Sequence, residues 1–161
     1  MSATLNLPVD LTSPDQLSAT SMELTDYLSR LRDARVRAKT SGSDQQLPDM
    51  SHLLTDLLQI SNVDPEDSAA LEDLRSQLDT LLTKAPVVHL TLAGLPGRTV
   101  KRQITLWFRT EINPLTLLTF AARADLGGGV VVYAGSHIYD YSFRRHILDN
   151  KKRISELAFS V

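Results

Sequence analysis

The feature that most limits how this chain can fold is a change of hydrophobic period at Pro86. Before it, leucines recur three, four and seven residues apart, as on one face of a helix. After it, apolar residues alternate, as in a strand with one side buried. Leu17, Leu24, Leu28 and Leu31 share a face, with Ser13 placed to cap that helix and Pro14 to take its first position. The helix is expected to fade near Lys39, because Ser41-Gly42-Ser43 is a flexible break. A shorter helix is expected over residues 48–60, with Leu53, Leu54, Leu57, Leu58 and Ile60 apolar. A third is expected to open at Asp64-Pro65-Glu66-Asp67 and to present Leu71, Leu74, Leu78, Leu81 and Leu82 on one side. Each helix has a wet face and an apolar face, so none is stable alone; they must pack on each other or on a partner.

Beyond Pro86, residues 87–93 alternate as a strand until Gly94, Pro96 and Gly97 break it. Helical spacing returns over residues 99–112 through Val100, Ile104, Trp107 and Phe108, and Asn113-Pro114 stops it. Residues 115–122 read as a second strand. Residues 130–133 and 137–141 are joined by Gly135-Ser136, a two-residue loop suited to a hairpin. A last helix is expected from near Ser142 through Ile147, Leu148, Ile154 and Leu157. The expected fold class is α+β: a helical region over residues 1–85, then a small mixed β-sheet domain over residues 86–161 in the order β-α-β-β-β-α.

Charge divides at the same place. Residues 1–85 hold 14 acidic against 7 basic side chains, and residues 86–161 hold 5 against 10, within an overall charge of −2. That asymmetry suggests two units meeting dissimilar partners. Arg30, Arg32, Arg35, Arg37 and Lys39 crowd the end of the first helix, where cations oppose its dipole, and this explains them better than nucleic-acid binding. The absence of cysteine rules out disulfides and thiolate chemistry and suits a reducing compartment. No stretch approaches the ~20 apolar residues that span a bilayer. Asp10 and Asp15 precede any Lys or Arg, unlike a secretory or transit leader.

Residues that would carry chemistry are scattered. Leu126-Gly127-Gly128-Gly129 leads into Val130-Val131-Val132, a strand, whereas a phosphate cradle feeds a helix. His89, His137 and His146 lie on separate elements without the paired spacing of a metal site. Ser136-His137 sits in a tight turn and forms no nucleophile elbow. Glu111, Asp125, Asp140, Asp149 and Glu156 are not paired as acid and base, and Lys151-Lys152-Arg153 reads as a solvated basic run. The expectation is therefore a non-catalytic protein without cofactor or metal that binds other proteins.

Residues 126–144, Leu-Gly-Gly-Gly-Val-Val-Val-Tyr-Ala-Gly-Ser-His-Ile-Tyr-Asp-Tyr-Ser-Phe-Arg, resemble the C-terminal signature of the delta subunit of F-type ATP synthases, the oligomycin-sensitivity-conferring protein of mitochondria. In that family a Leu-x-Gly-Gly turn leads into an apolar strand, a glycine hairpin, a strand ending in Asp-x-Ser-x-Arg and a terminal helix. Leu126, Gly128, Gly129, Gly135, Asp140, Ser142 and Arg144 fall on those positions without a gap. Each also has a folding role. Gly128 and Gly129 allow a bend that a Cβ would obstruct, and Gly135 supplies the hairpin turn. Ser142 can cap the last helix, Asp140 can reach the same turn, and Arg144 is expected to pair with Asp140. The chain departs from the family in lacking a proline before Leu126, in carrying Gly127 for a larger apolar residue, and in having about three N-terminal helices where the family has six.

The resemblance implies a mechanical subunit on the cytoplasmic side of an energy-transducing membrane, associated with it only through the complex. It would tether the catalytic head to the peripheral stalk against rotor torque. The sheet domain would receive the b-type stalk subunit, and the helices would grip the N-termini of the head's alpha subunits. A stand-alone adaptor or regulatory domain sharing only the small sheet is the alternative. A third reading, nucleic-acid binding by the basic half with Trp107 and Phe108 stacking on bases, is disfavoured because both aromatics are expected at least partly in the core.

Overall fold

A computed structural model describes residues 6–41 and 47–150. The break expected at Gly42-Ser43, the extension of the last helix to Ile154 and Leu157, the basic run Lys151-Lys152-Arg153, and Glu156 lie outside the described residues. Within them the chain is α+β, with N-terminal helices followed by a four-stranded mixed sheet.

Helix α1 (Pro14–Ser41) lies against α3 (Ser68–Lys84), with α2 (His52–Ile60) alongside. Leu17, Leu24, Leu28 and Leu31 of α1 meet Leu54, Leu57 and Leu58 of α2 and Leu71, Leu74, Leu78 and Leu81 of α3 in one buried cluster. The helices thus satisfy their apolar faces on each other. Tyr27, between Leu24 and Leu28, is also fully buried, and its hydroxyl donates to the Pro65 carbonyl at 3.1 Å. Opposite ends of the two long helices meet: the Ser21 hydroxyl bonds the Asp79 carboxylate at 2.8 Å, while Arg35 donates to the Ser68 hydroxyl at 2.6 Å. Arg32 pairs with Glu72, and Arg35 also reaches the Glu66 carbonyl. Part of the basic cluster is therefore held by α3 and its approach loop, beyond any effect of the dipole.

Two helix starts differ from expectation. Helix α2 begins at His52, four residues after Pro48, because Ser51 is the residue whose hydroxyl accepts from the Leu54 amide, at 3.2 Å. Glu23 of α1 fixes that cap, accepting from the Ser51 amide at 2.7 Å and from its hydroxyl at 2.8 Å. Helix α3 begins at Ser68 because Asp67 accepts from the amides of Ala69 and Ala70, at 2.9 and 3.2 Å. Asp64 instead accepts from the Glu66 amide at 2.9 Å, so Asp64-Pro65 closes a turn ahead of the helix.

The sheet comprises β1 (Val87–Leu92), β2 (Leu117–Ala122), β3 (Gly129–Ala134) and β4 (His137–Ser142) in the order β2-β1-β3-β4. Helix α4 (Arg98–Glu111) carries the chain from β1 to its parallel neighbour β2, and β3 runs antiparallel to both β1 and β4. Val88 and Leu90 of β1, Leu118 of β2 and Phe108 of α4 form a second core, with Ile104, Phe120, Val130 and Val132 packed on it. Strand alternation divides β2 between the two cores. Leu118 enters the sheet–α4 core, and its neighbour Leu117 enters the helical one. Phe108 is buried as expected, but Trp107 is 56% exposed and stands edge-on to the Phe108 ring at 5.0 Å. The helical period points one of two adjacent aromatics inward and the other out.

Candidate functional site

The segment that resembles the delta signature is contiguous in space. A single turn of 3₁₀ helix, Ala124–Leu126, buries Leu126 and hands over to three glycines with positive φ. Gly128 (φ +146) accepts at its carbonyl from the Phe143 amide at 3.1 Å, which ties the bend to the start of the last helix. A Cβ on Gly128 would fall 2.5 Å from the Phe143 ring. Gly129 (φ +77) is tighter, since its Cβ would overlap the Tyr141 carbonyl oxygen on the paired strand. Both glycines are thus required by the close return of the chain past Tyr141, Ser142 and Phe143.

From Gly129 the hairpin pairs Val130 with Tyr141, Val131 with Asp140, Val132 with Tyr139 and Tyr133 with Ile138, and closes through Gly135 (φ +58) and Ser136. Ser142 ends β4 and caps α5 (Phe143–Asp149), its hydroxyl accepting from the Arg145 amide at 3.3 Å. Asp140 accepts from the Ser142 amide at 2.9 Å. Hydrogen bonds from Ser142, side chain and then backbone, hold the Asp140 carboxyl below its ordinary 3.8. The six motif residues Gly128, Gly129, Gly135, Asp140, Ser142 and Arg144 and the buried Leu126 therefore belong to one bend–hairpin–cap unit.

Arg144 does not pair with Asp140. It donates to Asp125 at 2.9 Å, and Arg123 reaches the same carboxylate at 2.6 and 3.1 Å. The register places Asp140 on β4 facing Val131 and leaves its carboxylate to the Ser142 turn, so Arg144, in the first turn of α5, meets the 3₁₀ turn instead. The Arg123 hydrogen bond is the main cause holding the Asp125 carboxyl below its usual range. The Arg123–Asp125 pair spans two positions and its link to Arg144 spans 19; neither was among the sequence expectations.

This unit presents apolar surface. Ile138, Tyr139 and Tyr141 on β4 and Phe143, Ile147 and Leu148 on α5 are all exposed. Strand β4 is a sheet edge. The opposite edge strand, β2, is bonded by the N-terminal segment, whose Thr12 carbonyl accepts from the Leu118 amide at 2.7 Å.

A second feature escaped the sequence reading. Arg109 on α4 is 8% exposed, and its guanidinium donates to the carbonyls of Leu7 (3.2 Å), Pro8 (2.7 Å), Leu11 (2.6 Å) and Thr116 (3.3 Å). Among the described residues no carboxylate pairs with it. Burial pushes it down to about 10, which leaves it protonated at neutral pH. Nearby, Asp10 pairs with Arg98 at 3.1 Å and Arg102 at 3.4 Å beside a shallow cleft that also meets His52, Asp56 and Lys101.

His89 bonds the Thr119 hydroxyl at 2.5 Å across β1 and β2, while His137 stacks obliquely near Tyr139, and His146 lies on α5. Among the described residues no three His, Asp or Glu side chains come together as metal ligands. Nor is any described helix long and apolar enough to cross a membrane. Compared with known proteins, the sequence matches no family model, and no curated protein is significantly similar to it.

Proposed function

We propose that this chain is a non-catalytic, delta-type subunit of a rotary F-type ATP synthase, which tethers the catalytic head to the peripheral stalk against rotor torque. One observation carries the reading. The motif residues fold into a single glycine bend, hairpin and helix cap, and that unit exposes six large apolar side chains between Ile138 and Leu148. Large apolar side chains left exposed on an edge strand and the adjoining helix suit a protein interface. In this reading the sheet half receives the b-type stalk subunit, the helical half grips the N-termini of the head's alpha subunits, and the protein sits peripherally on the cytoplasmic face of an energy-transducing membrane.

A stand-alone adaptor is the second reading, and one observation favours it. The leucine faces of α1, α2 and α3 close on each other, so those faces are not free to take the head's N-terminal segments. Pull-down of the tagged protein from its own cells in mild detergent separates the two. Recovery of synthase subunits is the expected outcome. Recovery of other proteins in stoichiometric amount without any synthase subunit refutes the tether and leaves the adaptor.

A further inference from the structure

We propose that residues 7–12 act as an internal strap that locks the helical half and the sheet half into one rigid body, with Arg109 as its pin. The strap has two sides. Its side chains Leu7 and Leu11 are buried in the helical core with Leu17, Leu24 and Leu57. Its backbone faces the other half: three of its carbonyls accept from Arg109, and the Thr12 carbonyl accepts from the Leu118 amide on β2. Asp10 adds pairs to Arg98 and Arg102. The strap therefore belongs to one core by its side chains and to the other unit by its hydrogen bonds.

The chemistry makes this contact all-or-none. A guanidinium has five N–H donors in a fixed fork and cannot discharge at neutral pH. Buried on α4 with carbonyls as its partners, Arg109 depends on the strap for three of them; a strap that lifted would leave the cation with the Thr116 carbonyl alone. Opening is opposed by the cation on one side and by the burial of Leu7 and Leu11 on the other. Beyond the strap, the helical half meets the sheet half through Leu117 of β2, which enters the helical core, and through Val87 of β1 and Leu115, which pack against it. Without the strap, only these apolar contacts and the direct chain link at Ala85-Pro86 would hold the two halves together. With it, a load applied to either half passes to the other without reorientation.

The inference does not depend on the tether reading, since it concerns the isolated chain; a failed pull-down leaves it standing. The chain has no cysteine, so two spin labels can be placed at Met22→Cys on α1 and Ile138→Cys on β4, both exposed positions. Pulsed dipolar spectroscopy then reads the distance distribution between the halves. One narrow distribution is expected for the otherwise native chain, and at least a twofold broadening for Arg109→Met with helix and sheet circular dichroism retained. Leu7→Asn, which loosens the strap from the helical core at its rim without touching α4, should broaden it likewise and decides the matter if Arg109→Met does not fold. A broad distribution in the native background, or one as narrow in the folded variants, overturns the proposal.

Discussion

Replacing Gly129 with alanine tests the bend on which the hairpin depends. At φ +77 Gly129 lies in the left-handed region, where a residue with a Cβ costs about 1–2 kcal/mol. The added carbon would also overlap the Tyr141 carbonyl oxygen and stand 3.0 Å from the Ser142 Cα. Those are backbone atoms of the paired strand, so the register partner of Gly129 has to move, and overpacking of that kind costs about 1–3 kcal/mol more. The expected total is about 2–5 kcal/mol. Gly135→Ala is the internal control: its φ is +58, but nothing lies within 4 Å of the new carbon, so only the conformational cost of about 1–2 kcal/mol remains. Urea unfolding followed by circular dichroism and by Trp107 fluorescence compares the two. With a slope of about 2 kcal/mol per molar, the Gly129 variant should unfold roughly 1 M earlier than the Gly135 variant. Equal midpoints would mean that the strand return is not as close as described, and the account of the bend would be wrong.

Two further outcomes follow from the caps and the carboxylates. Asp67→Ala should destabilise the protein by about 1 kcal/mol in the same urea assay, the usual loss for an N-cap, and by more than Asp64→Ala; the reverse order would return the start of α3 to Asp64. Asp125 and Asp140 both titrate lower in the folded chain than their ordinary 3.8, so their contribution is present above that value and is lost as pH falls through the folded one. Hydrogen exchange at the Ser142 and Arg145 amides should therefore gain protection relative to the unfolded rate above pH 4 and lose it in stronger acid; protection that is flat across that range would contradict the assignment.

What the sequence disclosed was what local spacing governs. Leucines three and four apart placed the faces of α1 and α3, and glycines with adjacent β-branched residues placed the bend and the hairpin. Legibility failed where two local signals competed or where partners were distant. Both Asp64 and Asp67 are good caps, and the choice between them depends on which amides the folded turn offers. Trp107 and Phe108 are equally apolar, and only the phase of α4 against the sheet separates them. Nothing around Arg109 marks it as buried, because three of its four partners lie about a hundred positions earlier in the chain. Arg144 and Asp125 are likewise 19 positions apart, and the nearer Asp140 was the more obvious mate.

The split allegiance of Leu117 and Leu118 has a consequence for how this protein came to have two halves. A strand whose consecutive side chains serve different interiors is a party wall: neither room can be rebuilt without disturbing the other. A fragment starting at residue 86 would leave Leu117 facing water and the Leu118 amide without the Thr12 carbonyl. Substitutions in α1 or α3 are thus constrained by a residue in the sheet, and the pair must drift together.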